Sequence, residues 1–272
     1  MAILADFHMH SSFSGDSEAP MEEMVLQAIR AGMREICFTE HMDLDFPTHK
    51  EEEEGMFEVD LDAYLKRVLE MRKKYGDRIR IGYGLELGLQ PQLAERHTRL
   101  MRRQEFDFVI GSSHICNGRD PYYPEFYEGR TEEDAYREYF QSEIDNIKKF
   151  ADFDVYGHLD YVVRYGPNRD REYTYEKYRD LLDQILKLLL ENGKGLELNT
   201  GGIPYGLKEL HPVSELLVRY RKLGGEIVTI GSDAHKPEAI GRGFVRAAGV
   251  LQACGFSYYT VFENRRPDFR RF

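Results

Sequence analysis

The sequence is short of several things, and each shortage narrows what the chain can be. Its three cysteines, Cys37, Cys116 and Cys254, are odd in number and have no CxxC spacing, which argues against a disulfide framework and fits a reducing compartment. No apolar run approaches the roughly 20 residues of a membrane helix. The opening MAILADFHMH enters strand-like sequence with no basic segment or cleavage site, so a cytoplasmic protein without a membrane partner is expected. Cations are in deficit: 37 Lys and Arg against 48 Asp and Glu leave a formal net charge of -11. A nucleic-acid surface needs a clustered excess of Lys and Arg, so a small substrate is favoured. Internal repeats, low-complexity tracts and Pro- or Ser-rich linkers are missing, and 272 residues read as one domain spanning 1–272. Glycine-rich phosphate loops are absent too.

What is present is an alternation of short β-branched or aromatic runs with stretches of helical period, the signature of βα units. Strands are expected at Ile3 to Phe7, Glu35 to Thr39, Arg78 to Leu85, Asp107 to Gly111, Asp154 to Gly157, Gly195 to Asn199 and Glu226 to Gly231, with Tyr258 to Phe262 a candidate eighth. Helices are expected at Pro20 to Ala31, Asp60 to Tyr75, Pro91 to Arg103, Thr131 to Phe150, Tyr175 to Asn192, Pro212 to Leu223 and Phe244 to Cys254. Glycines 32, 76, 193, 224 and 255 supply helix stops, and Thr131-Glu132-Glu133-Asp134 comes close to a capping box. The run from Lys50 to Glu54 reads as a solvated loop. Arg265, Arg266, Arg270 and Arg271 read as a solvated tail covering a barrel end. Two insertions, about 42–59 and 115–130, are long enough to be lids or specificity elements.

Six of nine histidines fall where a β-like run has just ended: His8, His10, His41, His114, His158 and His235. Asp16, Glu86 and Asp233 occupy the same kind of position. In extended backbone, residues i and i+2 face one side, so His8-Met9-His10 can present both imidazoles to one ion. Alone, HxH is weak. Its recurrence as Thr39-Glu40-His41, Leu85-Glu86-Leu87, Ser112-Ser113-His114, Gly157-His158 and Ser232-Asp233-Ala234-His235 carries the reading, because a parallel barrel gathers all strand C-terminal ends on one face. Core packing gives histidine no reason to collect there. One ion rarely needs nine ligands, so a cluster is implied, and the mixed imidazole and carboxylate set suits zinc, manganese or iron.

These phrases, in this order, resemble the polymerase and histidinol phosphatase (PHP) superfamily, most closely its histidinol-phosphate phosphatase branch. The resemblance runs from Asp6-Phe7-His8-Met9-His10 through Gly84-Leu85-Glu86 and Gly157-His158-Leu159-Asp160 to Gly231-Ser232-Asp233-Ala234-His235. It implies an α/β fold, a distorted (β/α)7 TIM-like barrel with the metal site at the strand C-terminal ends. It also implies two to three divalent ions: one held by His8, His10, Glu86 and Asp233, a second by Glu86, His114 and His158, and a third by Asp16, His41 and His235. The activity implied is hydrolysis of a small phosphomonoester, L-histidinol phosphate first, by in-line attack of a metal-bridging hydroxide held by Glu86, His10 and Asp233.

Charge supports that chemistry. Three divalent ions less Asp16, Glu86, Asp233 and one hydroxide leave an excess of about two, the charge of a phosphate monoester dianion. Arg164, Asn199 and Lys208 are the candidate substrate-binding residues, and Asp43, Asp45, Phe46, Tyr122 and Tyr123 suit an ammonium and an imidazole. Asp6, Glu40 and Asp160 adjoin ligands and could orient imidazoles. Cys116 reads as a buried thiol. The alternatives are a phosphodiesterase of the same superfamily, an amidohydrolase-like barrel, and a non-catalytic metal-stabilised binding domain. Oligomeric state is not written in the sequence.

Overall fold

The computed structural model describes residues 3–48 and 54–272, so all of the Lys50 to Glu54 run except Glu54 lies outside the described residues. Seven strands are parallel and hydrogen-bonded in chain order: β1 (Ala5–Asp6), β2 (Glu35–Met42), β3 (Arg80–Gly88), β4 (Phe108–Ser112), β5 (Val155–Tyr156), β6 (Gly195–Asn199) and β7 (Val228–Gly231). Each is followed by a helix: α1 (Met21–Arg30), α2 (Leu61–Tyr75), α3 (Ala94–Met101), α4 (Glu132–Lys149), α5 (Arg179–Glu191), α6 (Ser214–Lys222) and α7 (Phe244–Ala253). The result is the distorted (β/α)7 barrel that the resemblance implied.

Closure comes from the segment after β1. Phe7 N–H donates to Ile230 O at 3.0 Å, Asp233 N–H to His8 O at 2.9 Å and His10 N–H to Ala234 O at 2.9 Å, while Thr39 N–H donates to Met9 O at 2.9 Å. The His8–His10 stretch is therefore clamped between β2 and the loop after β7. Phe7 and Met9 pack into the hydrophobic core, and His8 and His10 take the opposite face. Caps fix two of the helices. Asp60 accepts from the N–H groups of Asp62 and Ala63, both at 3.1 Å, and Thr131 from that of Asp134.

Expected and observed elements differ in three instructive places. β2 and β3 run further than expected, to Met42 and Gly88, so His41 and Glu86 sit within strands and have less freedom than loop residues. The expected helices at Pro91 and Tyr175 each open with a 3-10 turn, Pro91–Leu93 and Glu176–Tyr178. The candidate eighth strand is not part of the barrel. β8 (Tyr258–Glu263) instead pairs antiparallel with β9 (Arg266–Arg271) through a tight turn in which Asn264 and Arg265 both have positive φ. The arginine tail is thus a strand, and it does cover a barrel end. Asn264 and Arg265 N–H groups bond Asp107 just before β4, and the Arg265 Nε donates to Asp154 at 2.6 Å.

Candidate metal centre

Glu86, fully buried on β3, is the hub of the strand C-terminal end. Its Oε1 lies 2.8 Å from His158 Nε2 and 3.2 Å from His114 Nε2, and accepts from Ser112 Oγ at 2.7 Å. Its Oε2 lies 3.1 Å from His8 Nε2, 3.1 Å from His41 Nδ1 and 3.4 Å from His10 Nε2. One carboxylate therefore faces two groups of imidazoles with different oxygens.

The atoms His8 Nε2, His10 Nε2, Glu86 Oε2 and Asp233 Oδ1 are separated by 3.1, 3.2, 3.4, 3.5 and 3.7 Å across five of their six pairs. Four ligands at the bond lengths of zinc define a tetrahedron with edges of about 3.3 Å. On the outer side, Asp16 Oδ2 is 3.0 Å from His235 Nε2 and 3.6 Å from His41 Nε2, and the rings of His41 and His235 both stack against His10, at 4.3 and 4.2 Å, with their own centroids 5.8 Å apart. All nine expected ligands are thus brought together. The division into three sets is less strict than the resemblance implied, because His41 reaches both Glu86 and Asp16.

Three of the imidazoles are aimed by a second contact. His8 Nδ1–H donates to Glu197 at 2.6 Å, His10 Nδ1–H to Ser14 Oγ at 3.0 Å, and His114 Nδ1–H to Asp43 at 2.8 Å. Ser14 in turn donates to Glu40 at 2.6 Å, so Glu40 acts on His10 through a hydroxyl. Asp6 instead ties down the Ser232 and Gly241 backbones, and Asp160 holds His211, which is no ligand. Nothing in the sequence singles out Glu197 or His211, and Asp43 reads there only as chemically suited to an ammonium or imidazole. Asp43 lines the cavity but is engaged with His114. Asp45 pairs with Arg96 on the surface. Cys116 is a fully buried thiol whose pKa burial raises to about 11.

The donor set fits cations. His8 and His10 present bare Nε2 atoms to one another at 3.2 Å, although neutral imidazoles already donating through Nδ1 have no proton to share there. His41 Nδ1 and His235 Nε2 are buried without a well-formed hydrogen bond. Burial would lift the Glu86 and Asp233 pKa values, yet the surrounding imidazoles outweigh it and hold both well below the usual carboxylate range. Burial would lower His114, yet Asp43 and Glu86 lift it to about 10. Such carboxylates demand positive charge that titratable rings supply only by binding protons. His158 and Asp233, with φ of 21° and 56°, hold strained backbone of the kind found at functional sites.

A family model described as PHP domain matches residues 6–201. The chain belongs to the PHP domain family. It is 34% identical over 265 residues to the histidinol-phosphatase of Lactococcus lactis subsp. lactis, covering 97% of this chain and 96% of that one. It is 23% identical over 261 residues to the histidinol-phosphatase of Bacillus subtilis, covering 87% and 95%. The crystal structure of histidinol phosphate phosphatase from Lactococcus lactis, complexed with zinc, L-histidinol and phosphate, superposes with a TM-score of 0.86 at 32% identity, covering 97% of this chain and 98% of that one. The PHP match includes Glu86 and all ligand candidates up to His158; Asp233 and His235 lie beyond it, within the full-length likeness.

Above this PHP centre opens a cavity of about 760 Å³. Both insertions line it, Asp43, Phe46, Met56 and Phe57 from the first and Asp120, Tyr122 and Tyr123 from the second, together with Tyr161, Arg164, Tyr165 and Tyr205. Arg164 is buried, donating from Nη1 to Asp233 at 3.1 Å and from Nη2 to Asn199 at 2.9 Å. Asn199 and Lys208 are not among the lining residues. Asn199 braces Arg164 and Glu197, and the Lys208 backbone is tied to Asp170 and Arg246. Among the described residues, no helix is long and apolar enough to cross a membrane.

Proposed function

We propose that the chain hydrolyses L-histidinol phosphate to L-histidinol and phosphate, with His8, His10, Asp16, His41, Glu86, His114, His158, Asp233 and His235 holding two to three divalent ions, zinc first among the candidates. The observation that carries the reading is the Glu86 carboxylate, one oxygen toward His8, His10 and His41 and the other toward His114 and His158, at the floor of a cavity. Full-length likeness to histidinol-phosphatases supports the substrate. Bound ions would supply a water acidic enough to attack at neutral pH and positive charge for the phosphoryl oxygens.

The chain's own groups do the rest. Arg164, held by Asp233 and Asn199 and stacked over Tyr161 at 5.4 Å, presents a fixed guanidinium to the ester oxygens. Asp233 faces His8, His10 and Arg164 together, which couples the anion clamp to the ligand set. The ring of Tyr165 has its centroid 5.1 Å from those of both Tyr122 and Tyr161, and the three form an aromatic wall suited to the imidazole and ammonium of histidinol. The acidic chain and a cavity of about 760 Å³ suit a small ester better than a polyanion.

The test is purification without chelator, elemental analysis, and phosphate release from a panel that includes L-histidinol phosphate. Two to three ions per chain and a preference for that ester are expected, both lost in His10→Ala. A parent protein that carries the ions and leaves L-histidinol phosphate intact would end the substrate reading.

A further inference from the structure

Three cationic side chains line the cavity, Arg164, Lys236 and Arg242, and they are not equivalent. Arg164 has its charge committed to Asp233. Arg242 has no ion-pair partner among the described residues, although its backbone is fixed on several sides. Its carbonyl accepts from Thr200 Oγ1 at 2.7 Å, its N–H donates to Ala239 O at 3.0 Å, and the preceding Gly241 N–H donates to the buried Asp6 carboxylate at 3.0 Å. Asp6 also takes the Ser232 hydroxyl at 2.5 Å, so one carboxylate sets both the Asp233 loop and the Arg242 loop.

The bend is built for close approach. Gly241 and Gly243 have φ of 66° and 77°, and a Cβ on Gly243 would come within 2.4 Å of Ile203 in the loop after β6. Beside it, Gly201 lines the cavity with bare backbone, where a Cβ would meet Asp233 Oδ2 at 2.7 Å. The β6 loop therefore leaves part of the wall without a side chain next to Asp233, and the neighbouring loop places Arg242, which has no ion-pair partner among the described residues, at that cavity.

We propose that Arg242 is a second anion-contacting residue, binding the phosphoryl oxygens of the ester and setting affinity for it. The proposal rests on the phosphomonoester reading above and does not depend on which alcohol leaves. A guanidinium on an oxyanion forms charge-assisted hydrogen bonds, but this one sits at an exposed mouth where solvent screens it, so an effect of about tenfold is expected. Binding made equally in ground and transition states alters KM and leaves kcat alone.

The experiment compares Arg242→Gln, Arg242→Lys, Lys236→Gln and the surface control Arg246→Gln, all metal-loaded. It measures inorganic phosphate binding by calorimetry, and kcat and KM for L-histidinol phosphate and p-nitrophenyl phosphate. Arg242→Gln is expected to weaken phosphate binding and raise both KM values about tenfold, with kcat and metal content within about twofold of the parent. Arg242→Lys should recover part of the loss, and the control should match the parent. Phosphate affinity of Arg242→Gln within twofold of the parent overturns the proposal, as does a tenfold loss in Lys236→Gln alone. If the parent hydrolyses p-nitrophenyl phosphate but not L-histidinol phosphate, the substrate reading falls while the phosphate binding data still decide the role of Arg242. A parent that neither binds phosphate nor hydrolyses either ester refutes both.

Discussion

The two ends of the barrel use the same acids and neutralise them differently. At the N-terminal end of the strands, Asp154 meets Arg265 at 2.6 Å, Asp107 meets Arg72 at 2.5 Å, and Glu35 meets Arg80 and Arg270 at 2.5 and 3.0 Å. Those partners are always charged, so that end is electrically complete from residues alone. At the C-terminal end, Glu86, Asp233 and Asp16 face six imidazoles, which are neutral or charged according to their surroundings. This contrast locates the function within the fold. Arginine pairs close an end, and imidazoles leave it to be completed by cations.

The largest effect that would break the contrast is at its hub. Glu86→Gln keeps shape but removes the charge facing both imidazole groups, and it is expected to lower phosphate release at least about a thousandfold with loss of bound metal. Activity and metal content near parental values would show that the carboxylate is ordinary structure. Glu197→Gln comes next. It replaces the charged partner of His8 Nδ1, at 2.6 Å, with a neutral amide, and weakening such an outer contact costs about 10- to 100-fold in metal affinity. Titration with a competing chelator reads this directly. At the other end, Asp154→Asn should leave kcat within about twofold and lower stability by about 1–3 kcal/mol, because a buried acceptor of Val109 N–H and Arg265 loses its charge. Denaturant unfolding measures the cost; a large loss of activity without loss of stability would erase the distinction between the ends.

The sequence disclosed the catalytic end better than the structural one, for a physical reason. A parallel barrel turns position along each strand into position in space, so His41, His114 and His158 announce themselves by where their runs stop. Glu197 was hidden because its strand, Gly195-Leu196-Glu197-Leu198-Asn199, carries the acid in mid-run, and only register shows that it faces His8. Asp43 was hidden because a loop brings it to His114, 71 residues away. Charge suggests Lys208, but its backbone is tied to Asp170 and Arg246 and, unlike Gly201, Pro204 and Tyr205 of the same loop, it is not among the cavity-lining residues. The β8–β9 ribbon reads as a strand plus a basic tail, since no local signal in Tyr258 to Phe262 says that β8 pairs with β9 instead of with β7.

The smallest effect belongs to neither end and calibrates both. On the helical layer, Lys74 Nζ lies 2.5 Å from Glu22 Oε1, and the bonds from Lys74 and Tyr75 lower the Glu22 pKa from 4.5 to about 2. A carboxylate whose pKa is depressed in the folded state contributes stability that is fully present above its unfolded value, near 4.5, and is lost as pH falls through about 2. Lys74→Ala should therefore lower the thermal midpoint slightly, by about 1 °C at pH 6, with the two proteins converging near pH 2. Both ion-pair partners are solvent-accessible, so added salt should shrink the difference at pH 6 as well. A gap that persists at pH 2 would trace to the lysine's packed methylenes and not to its charge.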